Sequence, residues 1–85
     1  MHLTTPQFWI RFNNLPENVR NCSRKNVELL KENPYHPSLH FKKVKGFWSV
    51  RVGLNYRALA IEEEGNFRWI WIGSHKEYEQ IIKSL

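Results

Sequence analysis

The sequence predicts an α+β domain: two N-terminal helices packed on a four-stranded, largely antiparallel twisted sheet, closed by a C-terminal helix. Three observations predict it. Apolar spacing changes from a helical to an alternating period after Pro37. The segments beyond that point are joined by turns too short to hold crossover helices. Residues 74–85 then return to helical spacing behind a serine–glutamate capping pair. With 85 residues, 41% of them apolar, the chain has room for a single domain spanning residues 1–85.

Each element has a local reason. Thr5-Pro6 reads as an N-cap followed by proline at the first helical position, opening a helix to about Asn13. Asn14-Leu15-Pro16-Glu17 repeats the signal, with Asn14 as the expected cap. Val19, Cys22, Val27 and Leu30 then form the apolar stripe of a second helix, which Asn33-Pro34 stops because the residue before proline avoids the helical region. Leu39–Lys45, Phe47–Gly53, Tyr56–Glu63 and Phe67–Ser74 are the four expected strands. Their alternation assigns Trp48, Val50, Val52, Leu59, Ile61, Ile70 and Ile72 to the core, and Phe47, Ser49, Arg51, Trp69 and Trp71 to the opposite face. Finally, Tyr78, Ile81, Ile82 and Leu85 make one stripe on a terminal helix capped by Ser74 and Glu77.

The net charge of +5 is unevenly placed. Residues 1–33 carry five bases and three acids, and residues 58–85 carry three bases and five acids. Residues 34–57 hold Lys42, Lys43, Lys45, Arg51 and Arg57 with no acid at all, so the central segment alone is +5. That concentration points to a local polyanion site rather than diffuse solubilising charge. The lone Cys22 cannot close an internal disulfide and suits a reducing compartment. No apolar run approaches the roughly 20 residues of a membrane span, and the first residues lack the blocks of a secretion signal. A soluble, cytoplasmic protein without a membrane partner is expected.

Candidate chemistry gathers in the same half of the chain. His75 falls at the start of the last helix, where free backbone N–H groups hold anions and an imidazole is placed for acid–base work; it also reads as a surface histidine without a role. Arg51 and Arg57 flank the Gly53-Leu54-Asn55 turn, either clamping a phosphate or pairing with a glutamate. Lys43 and Lys45 share one strand face and Lys42 the other. Trp69 and Trp71 offer base-stacking surfaces or burial beneath the helices. His36 and His40 are weaker candidates. No metal-binding spacing occurs, no glycine-rich phosphate loop, and no aspartate anywhere.

These residues resemble a known family. The run Asn33-Pro-Tyr-His-Pro-Ser-Leu-His-Phe-Lys-Lys-Val, then Trp48-Ser-Val-Arg-Val-Gly, Asn55-Tyr-Arg-Ala-Leu-Ala and Trp71-Ile-Gly-Ser-His-Lys-Glu-Tyr, is similar to the RelE/ParE superfamily. These are the toxin halves of type II toxin–antitoxin modules. The Tyr56-Arg57 strand followed by the Gly73-Ser74-His75 corner carries most of the resemblance, and Leu15-Pro16-Glu17 fits it too. The resemblance implies a metal-independent, ribosome-dependent mRNA endoribonuclease that inhibits translation, in which the ribose 2′-hydroxyl attacks the adjacent phosphate. It makes Arg57 a phosphate contact, His75 a general acid or base, Arg51 a second phosphate contact, and Lys43 and Lys45 part of a basic RNA-binding strand. It implies no cofactor. Its partners are a cognate antitoxin over the basic face, mRNA on the ribosome, and operator DNA only through the antitoxin. Gyrase-poisoning ParE-like members share the fold without the ribonuclease residues, and a catalytically degenerate member is a further alternative. The family usually begins with a strand, which here is expected to be truncated to a few residues or absent.

Overall fold

Thr5 opens the first helix as its sequence requires. In the computed structural model, which describes residues 1–85, Thr5 Oγ1 accepts from the Phe8 N–H at 3.2 Å and donates to the Trp69 carbonyl at 3.1 Å. Helix α1 covers Pro6–Asn13 and α2 covers Glu17–Glu32. The junction between them differs from expectation. Asn14 closes α1, its N–H reaching back to Arg11 and Phe12 carbonyls, and Pro16 is the residue before α2, with no side-chain cap. Proline serves because its fixed φ leads into a helix and its carbonyl accepts from the Val19 and Arg20 N–H groups. The buried line of α2 is Val19, Ser23 and Leu30; Val27 is 43% exposed, and Cys22 only half-buried.

After α2 a single 3₁₀ turn at Pro37–Leu39 precedes the sheet, so the strand expected from Leu39 begins only at Lys42. Strands β2 (Lys42–Val44), β3 (Phe47–Val52), β4 (Tyr56–Glu63) and β5 (Asn66–Ser74) form the antiparallel meander, and α3 spans His75–Ser84. Lys45-Gly46 and Glu64-Gly65 each have positive φ at both residues, the pattern that matches hairpin twist. The sheet has five strands, not four. His2–Thr4, here β1, pairs in parallel with the outer edge of β5, giving the order β1-β5-β4-β3-β2. Three residues show no alternation to read; they are a strand because the β5 edge offers partners and the Phe67 N–H bonds to the Met1 carbonyl.

A bulge decides which residues face the helices. On β5, Trp69 opposes Ala60 and Trp71 opposes Leu59, so the intervening Ile70 has no partner and the alternation shifts by one. Cross-strand partners share a face, so Val50, Ala58 and Ile72 lie together, as do Trp48, Ala60 and Trp69. These join Phe12, Val19, Leu30 and Leu39 in the main core beneath α1 and α2. Trp69, assigned by alternation to the open face, is therefore a core residue at 7% exposure, its indole N–H donating to His2 Nδ1 at 3.1 Å. Leu59, expected in that core, is buried at 2% on the other face, where α3 packs across β4 and β5. No helix is long and apolar enough to cross a membrane.

Candidate active site

The second face carries the charge. The register sets Arg51 of β3 directly against Arg57 of β4, and Arg57 against Gly73 of β5. Arg57 shares the parity of Leu59 and Ile61, which belong to this second face rather than to the core beneath α1 and α2, so Arg51 and Arg57 are cross-strand neighbours on it. Each is held by backbone oxygen: Arg51 Nε donates to the Gly53 carbonyl at 3.1 Å, and an Arg57 terminal nitrogen to the Tyr56 carbonyl at 2.8 Å. Neither forms an ion pair; the four pairs in the molecule are Arg11–Glu77, Lys31–Glu28, Arg68–Glu63 and His75–Glu79. Burial, followed by the like charge of Arg51, pushes the Arg57 guanidinium below its ordinary range, with Tyr78 and Glu79 partly opposing the effect. Arginine stays charged regardless, so the pair holds positive potential that an anion would relieve.

His75 stands at the end of this row. Its N–H donates to the Asn55 carbonyl at 2.7 Å, which ties the start of α3 to the β3–β4 turn. The imidazole Nε2 lies 3.3 Å from Glu79 Oε1, and the ring stacks beside Tyr78 at 6.2 Å between centroids. The corner that positions it is built as the sequence indicates. Ser74 Oγ accepts from the Glu77 N–H at 3.1 Å while Glu77 Oε1 accepts from the Ser74 N–H at 3.2 Å. Hydrogen bonds from the Ser74 backbone and hydroxyl, and then Arg11, hold the Glu77 carboxyl below its usual range. Arg11 of α1 reaches round the free edge of β5, donating to the Ile72 carbonyl at 2.8 Å and to Glu77 at 2.9 Å. Its guanidinium lies 5.0 Å from the Trp71 ring centroid. That indole folds back over Gly73, where an added Cβ would lie 2.5 Å from the ring, so the corner requires glycine.

Other expected contributors are dispersed. Lys43 pairs with Trp48 and so faces the helix side; Lys42 pairs with Ser49 and shares the arginine face instead. Lys45 occupies a left-handed turn position and its Nζ donates to the Ile82 carbonyl at 3.0 Å, capping the C-terminal end of α3. Trp69 is out of reach in the core, and Trp71 stands beside the row under Arg11. His40, a weaker candidate by sequence, has its Nε2 3.3 Å from Arg51 Nη1. No local pattern marks it, because the contact depends on the 3₁₀ turn delivering the chain alongside β3.

Residues 17–80 match the model of the ParE-like toxin domain. The chain belongs to that family, within the RelE/ParE superfamily. The toxin domain's fold is also that of solved structures of low sequence identity. A chain of the RelB–RelE antitoxin–toxin complex from Methanococcus jannaschii superposes with a TM-score of 0.73 at 18% identity, covering 93% of this chain and 96% of that one. YafQ from E. coli gives 0.68 at 14%, covering 92% and 96%. The YoeB/ParE toxin from Agrobacterium tumefaciens gives 0.66 at 16%, covering 87% and 96%. Comparison with curated proteins finds no match.

Proposed function

We propose that this toxin is a metal-independent endoribonuclease that cleaves mRNA in the ribosome, in the cytoplasm, and is silenced by a cognate antitoxin. The observation that carries the reading is the side-by-side Arg51–Arg57 pair, lacking any carboxylate partner and standing in one row with the His75 corner. A phosphodiester set against the two guanidinium groups would have its non-bridging oxygens held by charged donors, which act most strongly as charge builds on the pentavalent phosphorus. The ribose 2′-hydroxyl attacks the adjacent phosphate and the 5′-oxygen leaves, with His75 in acid–base work. Lys42 on the same face extends the phosphate track. Two of the similar structures are antitoxin–toxin complexes, which supports a protein partner over this domain; operator DNA would be met only through it.

Induction of the chain in a bacterium, followed by primer extension on cellular mRNA, tests the proposal. Breaks inside open reading frames that vanish in a folded Arg57→Gln/His75→Gln double variant are expected. The match to a ParE-like model favours gyrase poisoning as the second reading. Intact mRNA together with inhibited supercoiling by purified gyrase would replace the first reading with that one.

A further inference from the structure

We propose that the cavity between the two N-terminal helices and the sheet binds a small aromatic carboxylate whose ring carries one hydrogen-bonding group. This site lies on the face opposite the arginine row and does not depend on the nuclease reading. Its floor is apolar. Phe12, Leu30, Val50, Val52, Trp69 and Ile72 line a cavity of about 220 Å³, and the exposed Trp9 and Val27 stand at its mouth. Two small residues leave the space open: Ser23 on the buried line of α2, and Ala58 on β4. Packed interiors seldom hold voids of this size. A dry apolar cavity of about 150 Å³ accommodates a benzene ring, so this one has room for two fused rings.

Ser23 gives the cavity a polar point. The residue is 7% exposed, and its Oγ is the one buried side-chain polar atom in the molecule without a hydrogen-bond partner. Folded proteins leave few such atoms, and each costs stability until a partner bonds it. A lone water does not suit this position, because it needs about two to four polar partners and the floor around it is apolar. Asn26, also on the lining, spends its Nδ2 on the Arg51 carbonyl at 2.9 Å. A hydroxyl or N–H on an aromatic ring does suit, since the serine hydroxyl both donates and accepts.

Charge at the mouth decides the other end of the ligand. The lining includes Arg24 and Lys31, both exposed, and no carboxylate. Arg24 bonds only to the neutral Asn21 Oδ1, at 3.0 Å, and its guanidinium lies 5.4 Å from the ring centroid of Phe12, a floor residue. Lys31 has a single acidic neighbour, Glu28, at 3.9 Å on the outer surface of α2. Two bases beside an apolar hollow complement an aromatic acid. Its rings leave water for the cavity, its ring polar atom meets Ser23, and its carboxylate stays hydrated between the bases.

The test is titration of the purified chain, followed by amide NMR shifts, with three probes. They are 6-hydroxy-2-naphthoate, the same naphthoate without its hydroxyl, and the naphthol without its carboxylate. The hydroxynaphthoate should saturate one site with a dissociation constant of about 0.1 mM, shifting amides of α2 and β3. Each of the other two should bind about tenfold more weakly. Ser23→Ala should keep or raise the thermal midpoint while weakening the hydroxynaphthoate about tenfold, to the level of the plain naphthoate, whose own binding stays unchanged. Replacing both bases, Arg24→Gln/Lys31→Gln, should weaken the two acids about tenfold and leave the naphthol unaffected. Arg57→Gln, on the opposite face, should alter no binding constant. No saturation by about 10 mM hydroxynaphthoate would overturn the proposal. So would a Ser23→Ala chain that holds the hydroxynaphthoate as tightly as the parent does. Binding lost in Arg57→Gln would overturn it too, by seating the acid on the arginine row.

Discussion

Arg57 works against the fold that holds it. Its guanidinium is partly desolvated and set beside Arg51 with no compensating acid, and both effects disfavour its charged form. Groups poised for a ligand are commonly held at such a disadvantage. Arg57→Gln should leave the thermal midpoint unchanged or raise it by about 2–4 °C (about 0.5 kcal/mol), while cleavage falls at least about 100-fold. A midpoint lowered by several degrees would instead mark Arg57 as a structural residue. Gly73 acts through shape rather than charge. Gly73→Ala places a methyl against the Trp71 ring and Arg11, so the indole must move away and the corner holding His75 loosens. Reduced activity with altered tryptophan emission is the expected outcome. Neither requirement is visible locally, because Gly73 is glycine on account of an indole two residues earlier that folds back only at this sheet edge.

At the scale of elements, the two ends of β5 respond differently to pH. The Glu77 carboxyl is held below its ordinary range chiefly by Ser74, so it supports α3 above the ordinary carboxylate range, and that support is lost as pH falls through its folded value. Ser74→Ala should cost about 1 kcal/mol near neutrality, with the difference shrinking in acid as Glu77 protonates; chemical denaturation at several pH values would measure it. At the other end, burial, then the N-terminal ammonium and Lys31, pushes His2 below its ordinary value of 6.5. The folded state resists protonating this ring, whose Nδ1 accepts from Trp69. The contribution is therefore complete above about pH 6.5 and declines as pH falls below it. Faster amide exchange in β1 at pH 5 than at pH 7.5, after correction for intrinsic rates and absent in His2→Phe, would show it. The helices and the capping box were legible because caps, prolines and apolar spacing act within a few residues. β1 was expected only through the family resemblance, as a strand truncated to a few residues or absent, since a three-residue strand exists only through its neighbour.

Across the whole molecule, core and site divide the two faces of one sheet. α1 and α2 cover the face of Val50, Ala58, Trp69 and Ile72, while α3 leaves room on the other for the arginine row. Trp69 joins several parts at once, packing in the core, bonding to His2 and accepting from Thr5 through its carbonyl. Trp69→Ala should destabilise the domain by about 3–5 kcal/mol, enough to unfold much of a small protein at 37 °C, as circular dichroism would show. Binding to RNA should weaken steeply with salt, and the slope of log affinity against log salt should flatten by about 1 for each of Lys42, Arg51 and Arg57 removed. Removing Lys43, on the opposite face, should change that slope little.

The amino-acid order by itself determined the fold class, the helix limits to within a few residues, the hairpin turns and the residue types able to meet a phosphate. These follow from caps, prolines, glycines and periods that operate over short stretches of chain. Tertiary structure alone decided which face each strand residue occupies, and with it the fate of Trp69, Lys43 and His40. One unpaired residue at Ile70 reverses the parity along β5, and one left-handed turn at His40 redirects an imidazole. Both arise from strand pairing and packing between segments far apart in sequence, where local spacing exerts no control.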